Sequence, residues 1–147
     1  MDASPSPQRA AELMTIPVIT DQDVLDRVAA IIDPQARRHR SLWLFFLDSE
    51  GSQANLVVPI DDVPARPAAP MISNVCYIAS QALAQEGNPG GSVVITLSRP
   101  GTTRLSESDR YFLRALQHGA STHATSVRML CLATPAGVRE LGPVTPG

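Results

Sequence analysis

The residues of this chain that could do chemistry lie mainly between Val94 and Asp109, where the sequence reads VITLSRPGTTRLSESD. A β-branched strand ends in a Pro-Gly loop, and a helix then begins with Ser106 and, three residues later, Asp109. An acid at this third position interacts favourably with the helix dipole and with free backbone N–H groups. Asp109 is therefore open to two interpretations, a helix-capping residue or part of a retained metal or polar site.

The order of elements around this segment resembles the RadC-like branch of the JAB/MPN metallopeptidase superfamily. Its members have a strand that runs into His-x-His-Pro-Ser-Gly and a helix that begins with Pro-Ser-x-x-Asp. Here the matching stretches are LSRPG and LSESD, and the strand and turn LWLFFLDSEG are similar to the family's LFLD strand. The resemblance covers roughly Ser41 to Leu141. In the family the two histidines and the aspartate bind zinc, and an upstream glutamate serves as general base.

The resemblance also implies where the ligands of the family would fall. If Pro100 matches the family's proline, the histidine positions fall on Leu97 and Arg99. Leucine has no lone pair to donate, and arginine is a permanent cation that repels a divalent metal. Asp109 matches the aspartate with a loop one residue shorter, and Asp61 is the nearest candidate for the base. Because a catalytic zinc needs three protein ligands, we expect no metal, no cofactor and no catalytic residue, and we expect Arg99 to pair with Asp109.

Other chemistries find little support in the residue types. All 12 basic residues are arginine, so a phosphate-loop lysine, a Schiff-base lysine and a Ser–Lys dyad are excluded. Cys76 and Cys131 lie in apolar stretches and are interpreted as small buried side chains. His118 and His123 are five positions apart, about 140° around a helix, so they cannot bind one ion from the same face.

The elements that must position these residues alternate in the order α-β-β-α-β-α-β-β. Helices are predicted from Thr20 to Pro34, over 70–85 and after Ser106, and strands over 41–47, 54–58, 92–98, 127–133 and 138–141. The aromatic residues Trp43, Phe45 and Phe46 are assigned to the core. The predicted fold class is α/β (α+β), a single domain with a mixed sheet of about five strands flanked by about three helices. The resemblance implies a JAB/MPN-like, cytidine-deaminase-like layering.

The predicted organisation is a flexible tail over 1–19, one domain over 20–141 and a second tail over 142–147. Both tails are rich in Pro, Ser, Ala and Gly. No apolar run approaches the 18 residues of a membrane span, and the first residues lack the features of a signal peptide. Two cysteines are too few for a disulfide scaffold. We therefore expect a cytoplasmic protein with no membrane contact.

The expected function is that of a catalytically inactive RadC/MPN-like domain, a protein-interaction or scaffold module that acts as a dimer or within a complex. No small-molecule substrate is indicated. The candidate partner-binding residues are Arg37, Arg38, Arg40, Arg99 and Arg104. One alternative is a divergent metal-dependent peptidase or isopeptidase that uses Asp109, Asp61 and an unassigned histidine. The other is a weak nucleic-acid-associated protein, which the net charge of −2 disfavours.

Overall fold

A computed structural model describes residues 15–85 and 90–145 of the chain. The elements alternate between helices and strands in the predicted order, with one short 3-10 turn added. They are helix α1 (Asp21–Ile31), the 3-10 turn (Ala36–Arg38), strands β1 (Ser41–Leu47) and β2 (Gln53–Ile60), helix α2 (Ala69–Gln85), strand β3 (Ser92–Ser98), helix α3 (Glu107–Thr122), and strands β4 (Val127–Thr134) and β5 (Gly137–Gly142). The predicted α/β class, with a five-stranded mixed sheet and three helices, is confirmed.

The five strands form a single sheet in the order β2-β1-β3-β4-β5. Strand β1 is antiparallel to both β2 and β3, and β4 is antiparallel to β5. Strands β3 and β4 are parallel, which requires a crossover connection, and α3 provides it. Arg99 and Asp109, the two candidate site residues, lie in this connection between β3 and β4.

Helices cover both faces of the sheet, and the alternation along β1 shows which residues face which layer. Leu42, Leu44 and Phe46 pack against α2 and α3 in one core cluster. Phe45 and Leu47, with the partly buried Trp43, pack against α1 in the other. A strand covered on both faces needs apolar residues at nearly every position, which explains the sequence SLWLFFL.

Two helices begin with the predicted capping boxes. The Thr20 side chain accepts a hydrogen bond from the backbone N–H of Asp23, whose carboxylate in turn accepts from the Thr20 backbone. Ser106 and Asp109 make the same reciprocal pair at the start of α3. These bonds satisfy N–H groups that a helix start leaves without intrahelical partners.

The folded part of the chain is longer than predicted. Val18 is buried and its N–H donates to the Gly51 carbonyl at 2.8 Å, so the domain begins before residue 20. At the other end β5 includes Gly142, and the Gln117 side chain donates to the Pro143 carbonyl at 2.8 Å. Residues 1–14 and 146–147 of the predicted tails, and residues 86–89 between α2 and β3, lie outside the described residues.

Strand β2 also extends beyond the predicted 54–58, because Pro59 pairs with Trp43 of β1. A proline is tolerated there since β2 is an edge strand, where a missing N–H breaks no ladder. Within residues 15–85 and 90–145, no helix combines the length and the apolar character needed to cross a membrane.

Candidate functional site

Arg99 and Asp109 meet where β3 ends and α3 begins. Arg99 Nε donates to Asp109 Oδ1 at 2.7 Å, and Arg99 Nη2 donates to Asp109 Oδ2 at 2.6 Å. This is the parallel, two-bond geometry in which a guanidinium and a carboxylate fit best. The predicted pairing of these two residues is therefore present in the structure.

The local sequence fixes both partners of the ion pair. Arg99 continues the alternation of Ile95 and Leu97, whose side chains pack on the face of the sheet that α2 and α3 cover. Asp109 is held by the capping box with Ser106. The backbone N–H of Arg99 also donates to the Ala133 carbonyl at 3.1 Å, which anchors the end of β3 to β4.

The loop that follows Arg99 folds back onto its guanidinium. Nη1 donates to the Pro100 carbonyl at 2.8 Å, and Nη2 donates to the Arg104 carbonyl at 3.0 Å. Gly101 has a φ of +100°, and a Cβ there would lie 3.2 Å from Arg99 Nη1. A glycine at this position therefore permits both the turn and the close approach. Every terminal nitrogen of Arg99 has a partner within the protein.

The pair is removed from solvent. Asp109 has no exposed surface and Arg99 is 7% exposed. Burial by itself acts to raise the pKa of Asp109, but hydrogen bonds from Arg99 and Ser106, together with the Arg99 charge, outweigh it and lower the pKa below the ordinary value. Asp109 is therefore held as a carboxylate, and its oxygens are engaged by three donors.

A second arginine lies next to the ion pair. Arg40 Nη1 donates to Ser108 Oγ at 3.3 Å. Burial lowers the pKa of Arg40, while the nearby charge of Asp109 acts to raise it. This guanidinium, a candidate for partner binding, is partly buried and contacts the first turn of α3.

The loop between β2 and α2 closes over the start of α3. Ser108 Oγ donates to the Ala65 carbonyl at 2.6 Å, and the Tyr111 hydroxyl donates to the Pro67 carbonyl at 2.8 Å. The exposed Arg66 forms an ion pair with Glu107 at 3.1 Å. These contacts hold the loop against the first turns of α3.

The donor set at this locus does not fit zinc. Leu97 is fully buried in the core and offers no lone pair. Arg99 is a cation, and its guanidinium already engages both oxygens of Asp109. A divalent ion would have to displace that guanidinium and would find one carboxylate where three protein ligands are required. In residues 15–85 and 90–145, no group of three or more His, Cys, Asp or Glu is arranged to hold a metal ion.

Asp61, the candidate for the general base, lies on the other face of the sheet. Its Oδ1 accepts a hydrogen bond from Ser41 Oγ at 3.1 Å. Ser41 lies on the same face of the sheet as Trp43, which packs toward α1. Leu97 and Arg99 lie on the opposite face, which α2 and α3 cover. The sheet therefore separates Asp61, the nearest candidate for the base, from Arg99 and Asp109.

Arg37 is also placed differently from the expectation of a partner contact. It is 4% exposed, and it donates to the carbonyls of Ala29 and Ile32 at the end of α1 and to that of Thr134 at the end of β4. It thus satisfies carbonyls that a helix end leaves without intrahelical partners. Among the proposed contact arginines, Arg38 and Arg104 are exposed.

Cys76, Cys131 and His123 are held in place by burial or by contacts within the protein. Cys76 and Cys131 are buried free thiols, and burial raises the pKa of Cys76 to about 11 and that of Cys131 to about 12. His123 shares a 2.8 Å hydrogen bond with Ser73 and packs edge-on against Tyr77. The interpretation of both cysteines as buried side chains is confirmed.

One surface feature was missed by sequence reasoning. Asp61 and Trp43 line a groove of about 330 Å³ together with Ala36, His39, Ser41 and Asp62. The sequence assigns Trp43 to the core, yet the residue is only partly buried. Ser41 and Trp43 share one face of β1, and this is the sequence signal that could have indicated the groove. The signal is incomplete, because only the register of β2 beside β1 shows that Asp61 and Asp62 lie on the same face.

Comparisons of the chain with protein-family models, with curated proteins and with solved structures found no match.

Proposed function

We propose that this chain is a non-catalytic RadC-like JAB/MPN domain that acts as a protein-interaction or scaffold module, as a dimer or within a larger complex. The observation that carries the proposal is the Arg99–Asp109 ion pair at the positions where the resemblance implies zinc ligands. The guanidinium supplies the positive charge that the carboxylate would otherwise take from a metal. The order of helices and strands on which the resemblance rests supports the same proposal.

Metal analysis tests the non-catalytic part of the proposal. The untagged protein, equilibrated with excess zinc and then desalted, should retain far less than one zinc per chain by elemental mass spectrometry. Asp109→Ala serves as the matched variant and should give the same low content. About one zinc per wild-type chain, lost in Asp109→Ala, would overturn the proposal and favour the metal-dependent peptidase.

The outer face of α2 supports self-association. The 17 residues of this helix include no charged side chain. Tyr77 and Ile78 are each 48% exposed, and Leu56 on the edge strand β2 is 45% exposed. An uncharged helix face with exposed large apolar side chains is typical of surfaces that bind other proteins.

Light scattering during size-exclusion chromatography tests this second part. The protein should form dimers at tens of micromolar, and Ile78→Glu should shift it to monomer because a charge would be buried in the interface. His118→Glu adds the same charge to an exposed position of α3 and should leave the dimer intact. A wild-type monomer at all concentrations, or equal effects of the two variants, would contradict self-association through α2.

The burial of Arg37 and Arg99 removes two of the five arginines that the nucleic-acid alternative requires on one face. We also propose a cytoplasmic location, in keeping with two cysteines that stay unpaired.

A further inference from the structure

The groove beside Trp43 is lined by residues that favour a positively charged ligand. Its lining consists of Ala36, His39, Ser41, Trp43, Asp61 and Asp62, which we call the Trp43 groove. It combines one aromatic surface with two carboxylates and contains no arginine. It lies where β1 begins and β2 ends, on the α1 face of the sheet, so it is separate from the Arg99–Asp109 pair.

The indole of Trp43 is fixed in place. Its Nε1 donates to Ser98 Oγ at 2.9 Å, and Ser98 Oγ is itself within 3.1 Å of the His39 carbonyl, to which it donates. The polar atom of the ring is thus satisfied inside the protein. The ring is partly exposed and lines the groove, and the π face of an indole attracts cations.

The two carboxylates of the groove have capacity left for a ligand. Asp61 accepts one hydrogen bond, from Ser41 Oγ to Oδ1, and this bond orients the carboxylate. Neither Asp61 nor Asp62 forms an ion pair with any residue in the described ranges 15–85 and 90–145. Asp62 has a φ of +57°, a left-handed conformation that Asp and Asn tolerate better than most residues.

We propose that the Trp43 groove binds the guanidinium of an arginine side chain presented by a partner protein. A planar guanidinium stacks on an aromatic face and donates paired hydrogen bonds to a carboxylate at the same time. The groove offers one aromatic wall and two acids, which suits a flat cation. A methylated ammonium would instead favour a cage of several aromatic rings. The proposal does not depend on the absence of zinc at Asp109.

Intrinsic fluorescence gives a direct test, because Trp43 is the single tryptophan of the chain. Nα-acetyl-arginine amide, titrated into the full chain at low ionic strength, should change the emission saturably, and added salt should weaken the effect. Nα-acetyl-citrulline amide has nearly the same shape without the charge and should bind at least about tenfold more weakly. Nα-acetyl-lysine amide should also bind more weakly than the arginine compound.

Variants locate the binding to the carboxylates. Asp61→Asn and Asp62→Asn preserve shape, and each should weaken the arginine compound about threefold to tenfold. The matched control is Glu140→Gln, which removes an exposed carboxylate from β5 at the opposite edge of the sheet and should leave affinity unchanged.

Several results would overturn the proposal. They are equal binding of the citrulline compound, tighter binding of the lysine compound, and wild-type affinity in both Asn variants. Tighter binding of free arginine than of its blocked amide would indicate a free amino-acid ligand in place of a protein partner. The zinc measurement above is unaffected by any of these outcomes, so the two proposals fail separately.

Discussion

Arg99 and Asp109 form an ion pair with two hydrogen bonds, in which the nitrogen–oxygen distances are 2.7 and 2.6 Å. The pair lies between the sheet and α3 and is almost wholly buried. Moving two charges out of water costs several kcal/mol per ion, and good geometry with additional hydrogen bonds is needed to offset it. The carbonyls of Pro100 and Arg104 and the N–H of Ser106 supply those additional bonds. The pair is therefore a fully satisfied polar unit, in which both oxygens of Asp109 already accept hydrogen bonds.

Acid should weaken the contribution of Asp109 to stability. Its pKa is lowered in the folded state, so the contribution is complete above the unfolded pKa of about 3.9 and is lost as pH falls toward the folded pKa. Wild type should therefore lose more unfolding free energy than Asp109→Asn between about pH 6 and pH 3, as measured by urea denaturation. The pKa of Asp23 is also lowered, by hydrogen bonds from Thr20 and Ile19. Because both proteins contain Asp23, its contribution cancels in the comparison. A gap between the proteins that stays constant or widens in acid would contradict the lowered pKa.

Arg37 should matter far more for stability than its neighbour Arg38. Arg37→Met removes hydrogen bonds to three carbonyls at the ends of α1 and β4 and leaves buried acceptors unsatisfied. We expect a loss of about 2 kcal/mol or more in the free energy of unfolding. Arg38→Met changes an exposed side chain and should have little effect. Equal losses in the two variants would mean that Arg37 does not cap α1.

The two thiols should resist modification in the native protein. The thiolate is the reactive form, and burial raises the pKa of Cys76 to about 11 and that of Cys131 to about 12. Iodoacetamide at pH 8 should leave both unlabelled by mass spectrometry, and the same treatment in urea should label both. Rapid labelling of either cysteine in the native protein would argue against its burial.

Much of the fold could be predicted from local sequence because the local and global signals agree. Strands β1 and β3 begin and end where their apolar and β-branched runs do, and both capping boxes are readable from residues three apart. The Arg99–Asp109 pair was predicted from the family resemblance, which puts an arginine at a ligand position and an aspartate ten residues further on.

What could not be predicted depends on contacts distant in sequence. Arg37 bonds to a carbonyl 97 residues away at Thr134, and no local pattern indicates that approach. Asp61 was named as the nearest candidate for the base, but the face on which a residue after a strand lies depends on the register, which here includes a bulge between Phe45 and Leu47. The same long-range dependence hides the Trp43 groove, whose residues come from two separate segments, 36–43 and 61–62.

A double-mutant cycle between Arg99 and Asp109 tests most directly whether this pair is a coupled buried unit. The free energies of unfolding of wild type, Arg99→Met, Asp109→Asn and the double variant should give a coupling energy of about 2–3 kcal/mol, because each single change leaves a buried charge without its partner. The control cycle between Arg66 and Glu107, an exposed pair on the same helix start, should give a coupling energy near zero. A coupling energy between Arg99 and Asp109 as small as that of the control would contradict the proposal that the Arg99 guanidinium stabilises Asp109 in place of a metal.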